Sequence, residues 1–151
     1  MIDTHLFINT ELDFKTNAQV LTHLNDFLGQ QGFVKPSYLK AIFEREESYP
    51  TGIDFGFGAI AIPHCDASHA KKPCLYVIKP KNKVVFNQAD DDGTVDAELI
   101  IALVVTNPKE QMKLLKALFT SLQDEHIFNA LKNSKNDSDI SKIFNQYILK
   151  D

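Results

Sequence analysis

The chain has 151 residues, of which 44% are hydrophobic and 24% charged, and its formal net charge is -4. This is globular composition, which excludes a disordered, collagen-like or disulfide-stapled chain. A chain of this length buries about two thirds of its unfolded surface with no metal or cross-link to help, and its scattered lysines and arginines leave no basic footprint for nucleic acid.

The N-terminus, Met1-Ile2-Asp3-Thr4-His5, has no basic segment followed by an apolar core, so no signal peptide is expected. Thr16-Asn17 then supply N-cap chemistry for a first helix, with Val20, Leu21, Leu24, Phe27 and Leu28 on one face and Gly32 as its stop. A second helix is expected from Pro36-Ser37 to just before Pro50, carrying Leu39, Ile42 and Phe43 inward. Within it, Glu44, Glu46 and Glu47 around Arg45 read as a charged helix face.

The middle of the chain changes period. Ile60-Ala61-Ile62, Leu75 to Ile78, Val84-Val85-Phe86 and Leu99 to Val105 are short apolar runs bounded by turn residues, hence strands. The last is continuously apolar, as a central strand covered on both faces would be, and it is far too short to span a membrane. Asp90-Asp91-Asp92-Gly93 lacks the alternate-ligand spacing and terminal Glu of a calcium loop and reads as an acidic, solvated turn. Asn107-Pro108 open a helix whose expected stripe is Met112, Leu115, Leu118, Phe119 and Leu122. A short helix capped by Asp124 carries Ile127, Phe128 and Leu131. A last one after Asp137-Ser138 carries Ile140, Ile143, Phe144, Tyr147 and Ile148. The expected fold is α/β: one domain over residues 1–151, a layered sandwich of a mixed parallel and antiparallel sheet with helices on both faces. A cytoplasmic protein is expected.

Of the five histidines, His23 and His126 fall outside the helical apolar stripes and read as solvated, and His5 has no recognisable partner. His64 differs, because it follows a strand through Pro63. Proline fixes φ and ends strand pairing, so the next side chain leaves the sheet at a defined angle. Imidazole there can act as base, ligand or nucleophile. The rival chemistry is metal binding by His64, Cys65, His69 and Cys74, spaced H-C-x3-H-x4-C. Adjacent side chains diverge in an extended chain, and the spacing matches no common zinc pattern. Phosphate loops, dinucleotide fingerprints and serine-nucleophile elbows are absent.

An ordered set of motifs carries a family resemblance. Glu44-Arg45-Glu46, Pro50-Thr51-Gly52-Ile53 and Ala59-Ile60-Ala61-Ile62-Pro63-His64 resemble the IIA component of the fructose/mannitol class of the bacterial phosphoenolpyruvate-dependent sugar phosphotransferase system. Pro63-His64-Cys65, His69-Ala70-Lys71, Pro80 to Val84, Phe86 to Asp92 and Asn107-Pro108 through Gln123 bring it closest to the galactitol-type IIA proteins. The resemblance implies a phosphoryl carrier that takes phosphate from phospho-HPr and passes it to a cysteine of a cognate IIB component. The membrane IIC component, which binds galactitol or a related polyol, is met only indirectly. It implies His64 as the phosphorylated residue, Arg45 as the group steadying the phosphoryl charge, and no cofactor or resident metal. Where fructose and mannitol members carry a second histidine, this chain has Gln111, which resembles the galactitol type and can donate a hydrogen bond to phosphate but cannot titrate. His69 is a candidate second imidazole and Thr51 a further site candidate. The alternatives are a nitrogen-type regulatory IIA, in which phosphorylation controls partner binding, and the zinc module above.

Overall fold

Alternation along the central strands divides the hydrophobic interior into two layers. The computed structural model describes residues 4–149. β1 (His5–Asn9), β2 (Gly52–Asp54), β3 (Ala59–Ala61), β4 (Cys74–Ile78) and β7 (Leu99–Val104) form one sheet, ordered β1-β4-β7-β3-β2. β5 (Val84–Asn87) and β6 (Thr94–Ala97) pair separately as a hairpin. β1 runs parallel to β4 and β3 parallel to β7, whereas the β4–β7 and β2–β3 pairs are antiparallel. The sheet is mixed, as expected.

β7 is central and buried along its whole length. Its Ile100, Ala102 and Val104 meet α1 (Asn17–Gln30), α2 (Tyr38–Ser48) and the β5–β6 hairpin. Leu99, Ile101 and Leu103 point the other way, to α3 (Pro108–Leu122), α4 (Glu125–Lys132) and α5 (Asp137–Tyr147). A period of two is what lets one strand serve both layers. Helices therefore cover both faces.

The helix starts follow cap chemistry. Thr16 accepts from the Gln19 N–H, Asn107 from that of Glu110, and Asp124 from those of His126 and Ile127. Asn136 caps α5, one residue earlier than expected. Gly32, at φ 82°, follows α1 in the left-handed conformation that glycine tolerates best.

Several expectations need correction. The α3 stripe is Leu114, Leu118, Ser121 and Leu122; Met112 and Phe119 stand 69% and 42% exposed. Spacing i, i+4, i+7, i+8 counted from Leu114 follows the helix better than a stripe begun at Met112. In α2 the buried face is Tyr38, Ile42 and Glu46, with Leu39 exposed, so Glu46 is not part of a solvated face. His23 is half-buried: its Nε2 lies 2.7 Å from the Tyr76 hydroxyl, its ring stacks on Phe27, and burial lowers its pKa. His126 is exposed, as expected. The short strands β2 and β6 have too few apolar residues to be seen by pattern, and the acidic turn at 90–93 connects β5 to β6.

Gly52 is where the hairpin meets the main sheet. Its carbonyl accepts from the Ala89 N–H at 2.8 Å, and a Cβ there would stand 2.5 Å from the Asn87 carbonyl oxygen. A backbone atom cannot swing aside. Gly52→Ala is expected to lower unfolding stability by about 1–3 kcal/mol, measured by urea denaturation. A change within error would show that the hairpin slides freely on the sheet.

Candidate functional site

The chain leaves β3 through Ile62 and Pro63, still alongside β7: the Leu103 N–H donates to the Pro63 carbonyl at 3.1 Å. His64 follows and is only 8% exposed. Its Nδ1 lies 2.7 Å from the Ile62 carbonyl oxygen, and its Nε2 lies 3.3 Å from Arg45 Nη2. A carbonyl can only accept and a guanidinium can only donate. Nδ1 therefore carries the proton, and Nε2 presents a lone pair toward Arg45. Burial pushes the His64 pKa below its ordinary value; the bond to Ile62 opposes this, and the Arg45 charge adds to it. The ring is neutral at neutral pH, with one nucleophilic nitrogen.

Arg45 reaches His64 from the last turn of α2. Its Nη1 donates to the Tyr49 carbonyl at 2.5 Å, and the guanidinium lies over the Tyr49 ring, 5.1 Å from the centroid. One fork of the planar group is thus anchored, and the other faces the imidazole.

Beside them is a buried carboxylate where the sequence predicts a charged helix face. Glu46 accepts at 2.7 Å from both the Thr51 N–H and the Thr51 hydroxyl, and each residue is 5% exposed. The signal was in the helix period, since Glu46 lies four residues after Ile42 and eight after Tyr38. Thr51 therefore faces Glu46.

The remaining candidates are placed differently. Gln111 is half-buried in the first turn of α3. β3 and β7 are parallel, so α3 begins at the same end of the sheet as His64. Among the described residues no hydrogen bond joins Gln111 to His64. His69 ends a 3-10 turn at Ala67–His69, and its Nδ1 lies 2.8 Å from the Ser37 hydroxyl, at the opposite end of α2 from Arg45. Cys74 is buried and Cys65 half-buried; burial pushes each thiol up to about 12. Among the described residues no three His, Cys, Asp or Glu side chains converge as a metal site would require, so the four candidate zinc ligands do not form one.

The arrangement suits an imidazole that accepts and returns a small anionic group beside a fixed cation. Known proteins point the same way. Residues 2–147 match the model described as the phosphoenolpyruvate-dependent sugar phosphotransferase system, EIIA 2. The chain belongs to this EIIA family. It is 41% identical over 146 residues to the galactitol-specific EIIA component of Escherichia coli K12, covering 97% of each chain. Two solved structures share the fold. The complex of enzyme IIAMTL with phosphorylated enzyme IIBMTL from Escherichia coli matches with TM-score 0.74, 21% identity, and coverage of 92% and 94%. Nitrogen regulatory protein IIA-Ntr from Neisseria meningitidis matches with TM-score 0.70, 19% identity, and coverage of 92% of each chain. The α/β class expected for an EIIA is the one observed. Among the described residues, no helix is long and apolar enough to cross a membrane.

Arg45→Ala removes a positive charge and some cover from Nε2, and both changes favour the imidazolium. The His64 pKa is expected to rise toward its ordinary value in an NMR titration while the far-ultraviolet circular dichroism stays native. An unchanged or lower pKa would mean that Arg45 does not act on the ring.

Proposed function

We propose that the chain, as a single domain over residues 1–151, is the cytoplasmic phosphoryl carrier of a phosphotransferase system for galactitol or a related polyol. His64 accepts the phosphoryl group and Arg45 steadies its charge. The observation that carries the reading is the pairing of an Nε2 lone pair with a guanidinium 3.3 Å away, on an imidazole whose other nitrogen is committed to the Ile62 carbonyl.

In the forward step the Nε2 lone pair attacks phosphorus of phospho-HPr in line. The new N–P bond forms as the bond to the donor imidazole breaks, and the donor ring keeps that electron pair. No proton has to leave His64: Nδ1–H stays on the ring, which becomes cationic, so its bond to the Ile62 carbonyl strengthens. Arg45 turns from the lone pair to the equatorial oxygens, where preorganised positive charge lowers the barrier. The second step transfers the group to a cysteine thiolate of a cognate IIB component, and Nε2 regains its lone pair. IIC would be reached only through IIB. The named mannitol complex, in which a protein of this fold is bound to a phosphorylated IIB, supports a IIB component as the acceptor.

The galactitol relative at 41% identity favours transport over the nitrogen-regulatory alternative, whose representative shares the fold at 19%. Gln111 remains a candidate hydrogen-bond donor to the phosphoryl group, from the helix that opens at the His64 end of the sheet.

Incubation with phosphoenolpyruvate, enzyme I and HPr is expected to place one acid-labile, base-stable phosphate on the chain. Nitrogen-15 spectra of labelled protein should locate it on Nε2 of His64, and His64→Ala should abolish it. Undiminished labelling of His64→Ala would end the proposal; a phosphate on Nδ1 would reverse the geometry of transfer.

A further inference from the structure

Two backbone carbonyls that aim the reacting groups belong to the turn that Glu46 holds. The turn runs from Tyr49 to Thr51, between α2 and β2. At its start the Tyr49 carbonyl anchors Arg45 Nη1 at 2.5 Å. At its end the Thr51 carbonyl accepts from the Ile62 N–H at 3.4 Å, and the carbonyl of that same Ile62 fixes the His64 Nδ1–H. Glu46 takes both donors of Thr51, its N–H and its hydroxyl.

A carboxylate is an expensive group to put on the buried face of α2, in line with Tyr38 and Ile42. Burial raises the carboxyl pKa, while the two bonds from Thr51 and the nearby Arg45 charge pull it back. Both contacts at 2.7 Å are donated to the carboxylate, which is the form of charge-assisted bond that holds geometry most tightly. A turn needed only to reverse the chain could be closed with backbone bonds. This one carries an ion on its inner side, with the two arms of the site hanging from its ends.

We infer that Glu46 is a positioning residue for phosphoryl transfer: by clasping Thr51 through both of its donors, it sets the 49–51 turn, which orients Arg45 through the Tyr49 carbonyl and His64 through Ile62. It touches neither the phosphoryl group nor the reacting nitrogen. The inference rests on the reading of His64 as the acceptor. It extends that reading to a residue at one remove, and it makes Thr51 part of the clasp.

The test is phosphoryl uptake from phospho-HPr by the full chain carrying Glu46→Ala, Glu46→Gln or Thr51→Val. Displacing reacting groups by a fraction of an ångström to an ångström costs up to about a hundredfold in rate. Glu46→Ala is expected to lower kcat about tenfold or more with KM for phospho-HPr little changed, because the surface that meets the donor is untouched. Glu46→Gln keeps an oxygen for the Thr51 N–H and gains an amide that can donate to its hydroxyl, so it should recover most of the rate. In the Arg45→Ala background the further loss from Glu46→Ala should shrink, since part of its effect runs through Arg45. Nitrogen-15 spectra should show the His64 ring of Glu46→Ala exchanging between tautomers, a change that a purely stabilising role would not produce.

A natively folded Glu46→Ala with native kcat and a single Nδ1–H tautomer would overturn the inference, as would full additivity with Arg45→Ala. If Glu46→Ala does not fold, Thr51→Val decides: it deletes the hydroxyl bond alone and should slow transfer several-fold, whereas native rate would overturn the inference. Labelling that survives His64→Ala overturns the acceptor assignment itself. A His64-dependent reaction indifferent to Glu46 overturns only the clasp.

Discussion

In the proposed relay, everything turns on the hydrogen bond that His64 Nδ1 donates to the Ile62 carbonyl. At 2.7 Å it fixes the tautomer, and with it the nitrogen that is left free to react. The bond spans only two residues, so it is only as firm as the backbone beneath it. That backbone is held from one side by β7, through the Leu103 N–H on the Pro63 carbonyl, and from the other by Thr51 through the Ile62 N–H. Burying β7 on both faces gives the first of these a rigid support. The two-layer core is therefore the frame on which a single ring is oriented.

Electrostatics then set the protonation state. Desolvation is the largest influence on His64 and favours the neutral form; Arg45 pushes in the same direction, and the bond to Ile62 pushes back. Desolvation and the cation prevail together. In the proposed relay Arg45 has a use on both sides of a transfer: before it, the positive charge discourages a proton from competing for Nε2, and after it, the same charge would face an anion. Anchoring one fork on the Tyr49 carbonyl limits how far the guanidinium must move between these two tasks.

Much of this was legible in the residues. The continuous apolar run at Leu99–Val105 marked the central strand, Pro63 marked the place where a side chain leaves the sheet, and cap residues located the helices to within a residue or so. Strands of three or four residues such as β2 and β6 offer too short a pattern, and their pairing is a tertiary fact. Met112 is exposed although the helical period includes it, because periodicity identifies a stripe without saying which of two adjacent stripes faces inward. Glu46 departs from expectation for a different reason: its charge points to solvent while its helical period points inward, and in the fold its partner Thr51 lies only five residues away. The partnership of Arg45 and His64 is invisible to any local pattern, since nineteen residues separate them and only the return of the chain along β3 brings them together.

The residue after the acceptor raises a problem of selectivity. A relay that ends on a thiolate places its own thiol, Cys65, directly beside the histidine that would carry the phosphoryl group. With that thiol pushed up to about 12 by burial and by Asp66, very little of it is thiolate, the reactive form, at neutral pH. The local cysteine is thus kept chemically silent by the same low-polarity surroundings that keep His64 neutral. If His64 is the acceptor, one environment both readies a nucleophile and disarms its neighbour, leaving the phosphoryl group to a cysteine that arrives on another protein.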